Sequence, residues 1–219
     1  MAAPVAAQCR LALLLALDIS SSVDAAEDRL QREGLAAALT APEIVEVILA
    51  IPSQPVALAV FEWSGRYQQD MTLPWTLLTS REEVFAAAQT VAASQRRYAE
   101  FPTALGFAIG HAASVFEEAP LCAAQTLDIS GDGRNNDGFG PRLAYENFPL
   151  ESVTVNGLVI GGQDEGLAAY YTREVIKGPG SFVEQAVNFD DYERAMRRKL
   201  LRELQIRAVS LPQASPQGG

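Results

Sequence analysis

The sequence predicts an α/β fold: a Rossmann-like, doubly wound, mostly parallel sheet with one antiparallel edge strand and helices on both faces. Three observations predict it. Apolar runs at 11–17, 56–63, 121–129 and 153–160 each end in a polar loop. They are continuous rather than alternating, as strands covered on both faces must be. Between them lie segments with apolar residues at helical spacing, and at 219 residues, 48% apolar, the chain can bury a core without staples. Disorder and a small disulfide scaffold are excluded.

The first strand, 11–17, is followed by a helical pattern over 23–39, with Leu30, Leu35 and Leu39 among charged residues. A second short helical segment starts at Pro42, a favourable first helical position. Strand 56–63 and segment 68–75 are separated by Ser64, Gly65 and Arg66, so they read as a hairpin and supply the antiparallel edge. Ser80 and Glu83 form a capping box for a helix running to about Arg96. A third helix spans 103–118, rich in alanine with Leu105, Phe107, Ile109, Val115 and Phe116. Strands at 121–129, 153–160 and 181–187 complete a six-stranded sheet. The last helix, 190–204, repeats Tyr192, Met196, Leu200 and Leu204 at helical spacing. Residues 1–8 read as an N-terminal stub, 9–207 as the domain, and 208–219, ending LPQASPQGG, as a frayed tail.

Charge and composition exclude several function classes. A net charge of −10 repels polyphosphate backbones, so no nucleic-acid partner is expected. The one concentrated basic stretch, Arg194, Arg197, Arg198, Lys199 and Arg202, has Glu193 and Glu203 interleaved and reads as the solvated face of a helix. No apolar run approaches the ~18 to 20 residues that a membrane span needs. The run at 11–17 ends on Asp18 with no small-residue cleavage site, so it reads as a strand and not as a signal-peptide core. One histidine and two cysteines exclude zinc fingers and CxxC redox motifs. His111, among Ala108, Ile109, Ala112, Ala113 and Val115, reads as a plain helix residue.

In open parallel sheets, ligands bind beyond the carboxyl ends of the strands. After the first run comes D-x-S-x-S, at Asp18, Ser20 and Ser22. After Ile129 come Ser130, Gly131, Asp132 and Gly133, and Thr103 precedes the third helix. Two carboxylates and three hydroxyls from three loops at one sheet edge suit Mg²⁺, Mn²⁺ or Ca²⁺, and do not suit zinc or copper. Two carboxylates leave a divalent ion roughly neutral and still electrophilic, so the site wants one more anionic oxygen from outside. The competing reading is an ordinary N-cap, with Ser20, Ser21 or Ser22 capping the helix from Val23. DISGDG at 128–133 mimics a calcium-binding EF loop, but the twelfth position is Phe139 and Asp128 lies in an apolar strand. The glycine-rich stretch 161–166 lacks phosphate-binding spacing, carries Asp164 and Glu165, and reads as a loop.

Together Asp18, Ser20, Ser22, Thr103 and Asp132 resemble the metal-ion-dependent adhesion site (MIDAS) of von Willebrand factor type A (VWA) domains, and the order of elements matches over about residues 9–207. Within that superfamily FEWSG at 61–65, DISGDGRNNDG at 128–138 and RKLLREL at 198–204 are similar to a bacterial, exported group of unknown function, DUF1194. The resemblance implies sheet order 3-2-1-4-5-6 with a cation, Mg²⁺ first and Mn²⁺ or Ca²⁺ as alternatives, at its top. It implies that Ser20 and Ser22 bind the ion directly, and that Thr103, Asp18 and Asp132 bind it directly or through water. A partner protein's Asp or Glu carboxylate then fills the sixth position. The sequence departs from the pattern in one place: Ser130-Gly131 stands where a threonine usually precedes the last aspartate.

If Asp18 and Asp132 cap adjacent strands, Cys9 and Cys122 begin those strands at the other end and are neighbours. A disulfide closing so long a loop contributes up to ~4 to 5 kcal/mol in the chain-entropy treatment, and it fits an oxidising compartment. The alternative is two buried thiols in a cytosolic protein. The expectation is therefore a periplasmic or secreted bacterial protein, its signal peptide removed, that is a metal-dependent binding module and not an enzyme. Arg134, Asn135, Asn136, Asp137, Phe139, Tyr98 and Glu100 are expected around the site as specificity residues. Two other functions compete. A metal-dependent hydrolase, such as a haloacid dehalogenase-type phosphatase, needs a second aspartate as general acid where Ser20 stands. The other is a structural VWA scaffold with no working metal site.

Overall fold

The computed structural model describes residues 8–161 and 165–209. Six strands, β1 (Leu11–Asp18), β2 (Val56–Trp63), β3 (Gln69–Leu78), β4 (Gln125–Gly131), β5 (Val153–Ile160) and β6 (Val183–Ala186), form one sheet in the order β3-β2-β1-β4-β5-β6. All neighbours are parallel except β2 and β3, the antiparallel hairpin. Seven α-helices flank it: α1 (Ala25–Thr40), α2 (Pro42–Leu49), α3 (Arg81–Ala93), α4 (Leu105–Glu117), α5 (Pro141–Asn147), α6 (Glu165–Tyr170) and α7 (Tyr192–Val209). A π-helical turn, Tyr171–Val175, continues α6, and a 3₁₀ turn, Phe189–Asp191, leads into α7.

The continuous apolar run of β1 serves two cores because successive strand side chains point to opposite faces. Leu11, Leu13, Leu15 and Leu17 join Leu35, Ile44, Val84, Met196 and Leu200 of α1, α2, α3 and α7. Ala12, Leu14 and Ala16 join Leu105, Ile109 and Ala112 of α4 on the other face. Every residue of β1 is buried, as strands between two helical layers must be. At the amino ends, Cys9 and Cys122 pair as an isolated parallel bridge and are joined by a disulfide, Cα–Cα 4.5 Å. Beside it the buried Arg10 guanidinium donates to the carbonyls of Val47 and Ile48 at the end of α2 and to that of Gln54 in the loop beyond.

Several boundaries differ from expectation. Strand β4 starts at Gln125, because Leu121 is exposed and residues 121–124 follow Pro120 as irregular chain. The hairpin's second strand extends to Leu78, with register shifts near Val60. Helix α3 has the expected Ser80–Glu83 capping box but ends at Ala93, short of Arg96. The stretch read as a loop over 161–166 is helical from Glu165, while 162–164 lie outside the described residues. The expected stub, apart from residue 8, and the tail beyond Val209 also lie outside them.

The largest correction concerns the basic stretch of α7. Arg194, Arg197 and Arg198 do pair outward, with Asp191, Glu43 and Glu184. Lys199 and Glu203, however, are interior. Lys199 Nζ lies 2.8 Å from Asp128 Oδ2 and 2.6 Å from Glu203 Oε1, with all three side chains sealed from solvent. The reason is phase. Residues 196, 199, 200 and 203 share one face at helical spacing, so the apolar stripe carries the lysine and glutamate inward with it. Burial pushes the Asp128 carboxyl up, Lys199 opposes that shift, and Glu203 adds to it.

Candidate functional site

Strand β1 delivers Asp18, fully buried, at its carboxyl end. The loop that follows is free of capping duty. The N-cap of α1 is Asp24, whose carboxylate accepts from the amides of Ala26 and Glu27 while Glu27 accepts from the Asp24 amide. The serine N-cap reading is thereby removed, and Ser20 and Ser22 turn elsewhere. Asp18 Oδ1 accepts from the Ser20 amide at 2.7 Å. Ser20 Oγ lies 3.1 Å from Ser22 Oγ and accepts from Thr103 Oγ1 at 3.2 Å. Ser22 Oγ donates to Asp132 Oδ1 at 2.7 Å. All five residues singled out in the sequence therefore meet in one network. It runs from the buried Asp18 to Ser22, which is exposed.

Two supports hold the network: Arg96, which the sequence did not mark, and Asn136, which was expected near the site in another role. The Arg96 guanidinium donates to the carbonyls of Ile19 (2.8 Å), Ser20 (2.9 Å), Val23 (2.6 Å) and Tyr98 (2.6 Å), fixing the peptide planes of the serine loop. Asn136 clasps Thr103, its Oδ1 accepting from the Thr103 amide and its own amide donating to the Thr103 carbonyl, both at 2.9 Å. Asn135 Oδ1 accepts from the Gly106 amide at the start of α4, and Asp137 is held by Arg66. These loop residues, expected as specificity determinants, are used in holding the loop. Phe139 packs tilted against Phe107 with ring centroids 4.2 Å apart. His111 lies on α4, the helix expected there, with its ring edge-on to Phe61.

The electrostatics describe a place short of positive charge. Burial, and then the neighbouring Asp132 charge, push the Asp18 carboxyl up to about 7 against hydrogen bonds from Ser20 and from the Asp132 backbone. Burial likewise pushes Asp132 up. Asp18 Oδ2 is buried with no hydrogen-bond partner. Two carboxylates in want of a counter-charge, with three hydroxyl oxygens bonded around them, make a hard-oxygen donor set that fits a divalent cation.

Comparisons with solved structures agree on the fold. Proximal thread matrix protein 1 from the mussel byssus superposes with TM-score 0.66 at 14% identity, covering 91% of this chain and 49% of that one. A further structure of that protein, described as having a zinc-occupied MIDAS motif, gives TM-score 0.61 at 15% identity over 91% and 48%. A von Willebrand factor type A protein from Catenulispora acidiphila gives 0.63 at 14% identity over 90% and 43%. The chain spans about half the length of these proteins. The fold is thus the VWA fold, with the expected strand order. No curated protein matches the chain. A family model described as "Protein of unknown function (DUF1194)" matches residues 8–208, and the chain belongs to that family.

Proposed function

We propose that the chain is a metal-dependent protein-binding module, in which Asp18, Ser20, Ser22, Thr103 and Asp132 hold a divalent cation that recognises an Asp or Glu carboxylate of a partner protein. The observation that carries this reading is the single network joining those five residues, with Asp18 Oδ2 buried and unpartnered at one end and an exposed hydroxyl at the other. The cation supplies the positive charge that the buried Asp18 and half-buried Asp132 carboxylates lack and an electrophilic position for an incoming carboxylate. Mg²⁺ is the first choice, with Mn²⁺ and Ca²⁺ next. The zinc-occupied motif described for a protein of this fold brings Zn²⁺ into the same test, although the oxygen donor set alone argues against it. A hydrolase is disfavoured because Ser20 stands where a second aspartate would act as general acid. The Cys9–Cys122 disulfide supports a periplasmic or secreted location.

The test is calorimetric titration of each cation into EDTA-stripped protein, with Asp132→Ala alongside. Saturable binding near one ion per chain, lost in the variant, is the expected result. Absence of saturable heat for all four cations up to millimolar concentration would overturn the reading.

A further inference from the structure

At the buried end of the five-residue network two polar atoms have no hydrogen-bond partner, Asp18 Oδ2 and the Tyr171 hydroxyl. They sit around the same space. A β-carbon at Gly131 would come within 2.4 Å of Tyr171 Oη and 3.0 Å of Asp18 Oδ2. Only a residue without a side chain leaves both oxygens their places, so glycine at the end of β4 is a requirement of this arrangement. The ring of Tyr171 needs a second glycine, since a β-carbon at Gly157 on β5 would lie 2.8 Å from its Cδ1. Two glycines on adjacent strands thus open a path for one fully buried tyrosine toward Asp18.

The tyrosine arrives from the π-helical turn Tyr171–Val175. Such turns re-aim side chains and recur at functional sites. Here Tyr170 and Tyr171, with rings 71° apart, go to different targets. Tyr170 Oη accepts from the Asn135 amide in the clasping loop, whereas Tyr171 goes under the network. A buried hydroxyl left unpaired is costly, and so is a buried carboxylate oxygen. The two oxygens border one point close enough that a single bridging water would give each the partner it lacks.

We infer that Tyr171 is a positioning residue of the cation site: its hydroxyl donates through one water to Asp18 Oδ2 and holds that carboxylate in its metal-binding orientation. This rests on the cation reading above. The ion itself need not touch Tyr171, and no change in the Asp18–Ser20 backbone bond is involved.

The test compares wild type, Tyr171→Phe, Gly131→Ala and Tyr145→Phe by calorimetric Mn²⁺ titration and by thermal melting in EDTA. Tyr171→Phe keeps the ring in its slot and removes only the hydroxyl. Expected is a melt in EDTA close to wild type and an Mn²⁺ affinity lower by about tenfold or more, the scale typical of groups that orient metal ligands. Gly131→Ala, whose methyl intrudes between the two oxygens, should lose affinity similarly and decides the matter if Tyr171→Phe does not fold. Tyr145→Phe removes another buried hydroxyl, one that donates to the Val175 carbonyl, and should lower the melting temperature while leaving affinity unchanged. Wild-type affinity in folded Tyr171→Phe, or in Gly131→Ala where only that variant folds, overturns the inference and leaves the cation reading standing. Failure of wild type itself to bind overturns the cation reading, and this inference with it.

Discussion

Replacing Lys199 by methionine keeps the length and most of the volume of the side chain but removes the one cation from a sealed cluster. Two carboxylates then remain in the interior, Asp128 at 2.8 Å and Glu203 at 2.6 Å from the lost ammonium. Glu203 retains the Asn156 amide at 2.7 Å, while Asp128 Oδ1 has no hydrogen-bond partner to begin with. Breaking a buried pair by removing one member costs about 3–5 kcal/mol. At about 2–4 °C per kcal/mol for a chain of this size, the melting temperature should drop by roughly 10 °C. The cost depends on pH. The Asp128 carboxyl is raised in the fold by burial, so its neutral form is the favoured one there, and stability is lost as pH rises above the ordinary carboxylate range. Lys199 opposes that loss in wild type. The variant should therefore be hurt most at neutral and alkaline pH and least near pH 5, and adding Asp128→Asn should restore part of the deficit. Urea unfolding followed by tryptophan fluorescence at several pH values measures all of this. A cost below about 1 kcal/mol at neutral pH, which is the range of an exposed surface pair, or a cost that grows toward acid, would refute the reasoning.

Two further perturbations follow from other parts of the molecule. Reduction of the Cys9–Cys122 disulfide, or its replacement by two alanines, opens a constraint across 113 residues and should cost about 4–5 kcal/mol, read as a fall in urea midpoint; an unchanged midpoint would show that the bond constrains the unfolded chain little. Arg96→Ala removes four donors from the carbonyls around the serine loop and should raise amide exchange at residues 19–23 and weaken Mn²⁺ binding, whereas Arg97→Ala, whose partner is the exposed-side Asp70, should do neither.

The five network residues and their supports left different traces in the sequence. Asp18, Ser20, Ser22, Thr103 and Asp132 were legible in the sequence because each stands at the carboxyl end of an apolar run or at the mouth of a helix, and a parallel sheet gathers those ends at one edge. Arg96 and Tyr171 carry no comparable mark. One is the first of two arginines after a helix, and the other is the second of two tyrosines in a segment whose helices are too short for a periodicity window.

Hydrophobic patterning by itself determined the strand count, the parallel arrangement, the hairpin edge and the placing of three loops together, because burial on both faces leaves a local trace in each strand. Cysteine spacing measured back from the two aspartates made a disulfide plausible beside the alternative of two buried thiols, and the fold brings the pair together. The N-cap of α1, the interior fate of Lys199 and the path of Tyr171 were decided by tertiary structure alone. Each depends on which groups from distant segments compete for the same buried space: Asp24 rather than a serine for the first amides of α1, Asp128 for the lysine, and the hollows left by Gly131 and Gly157 for the tyrosine. A local pattern records that a residue is buried, and only the packed fold decides what it is buried against.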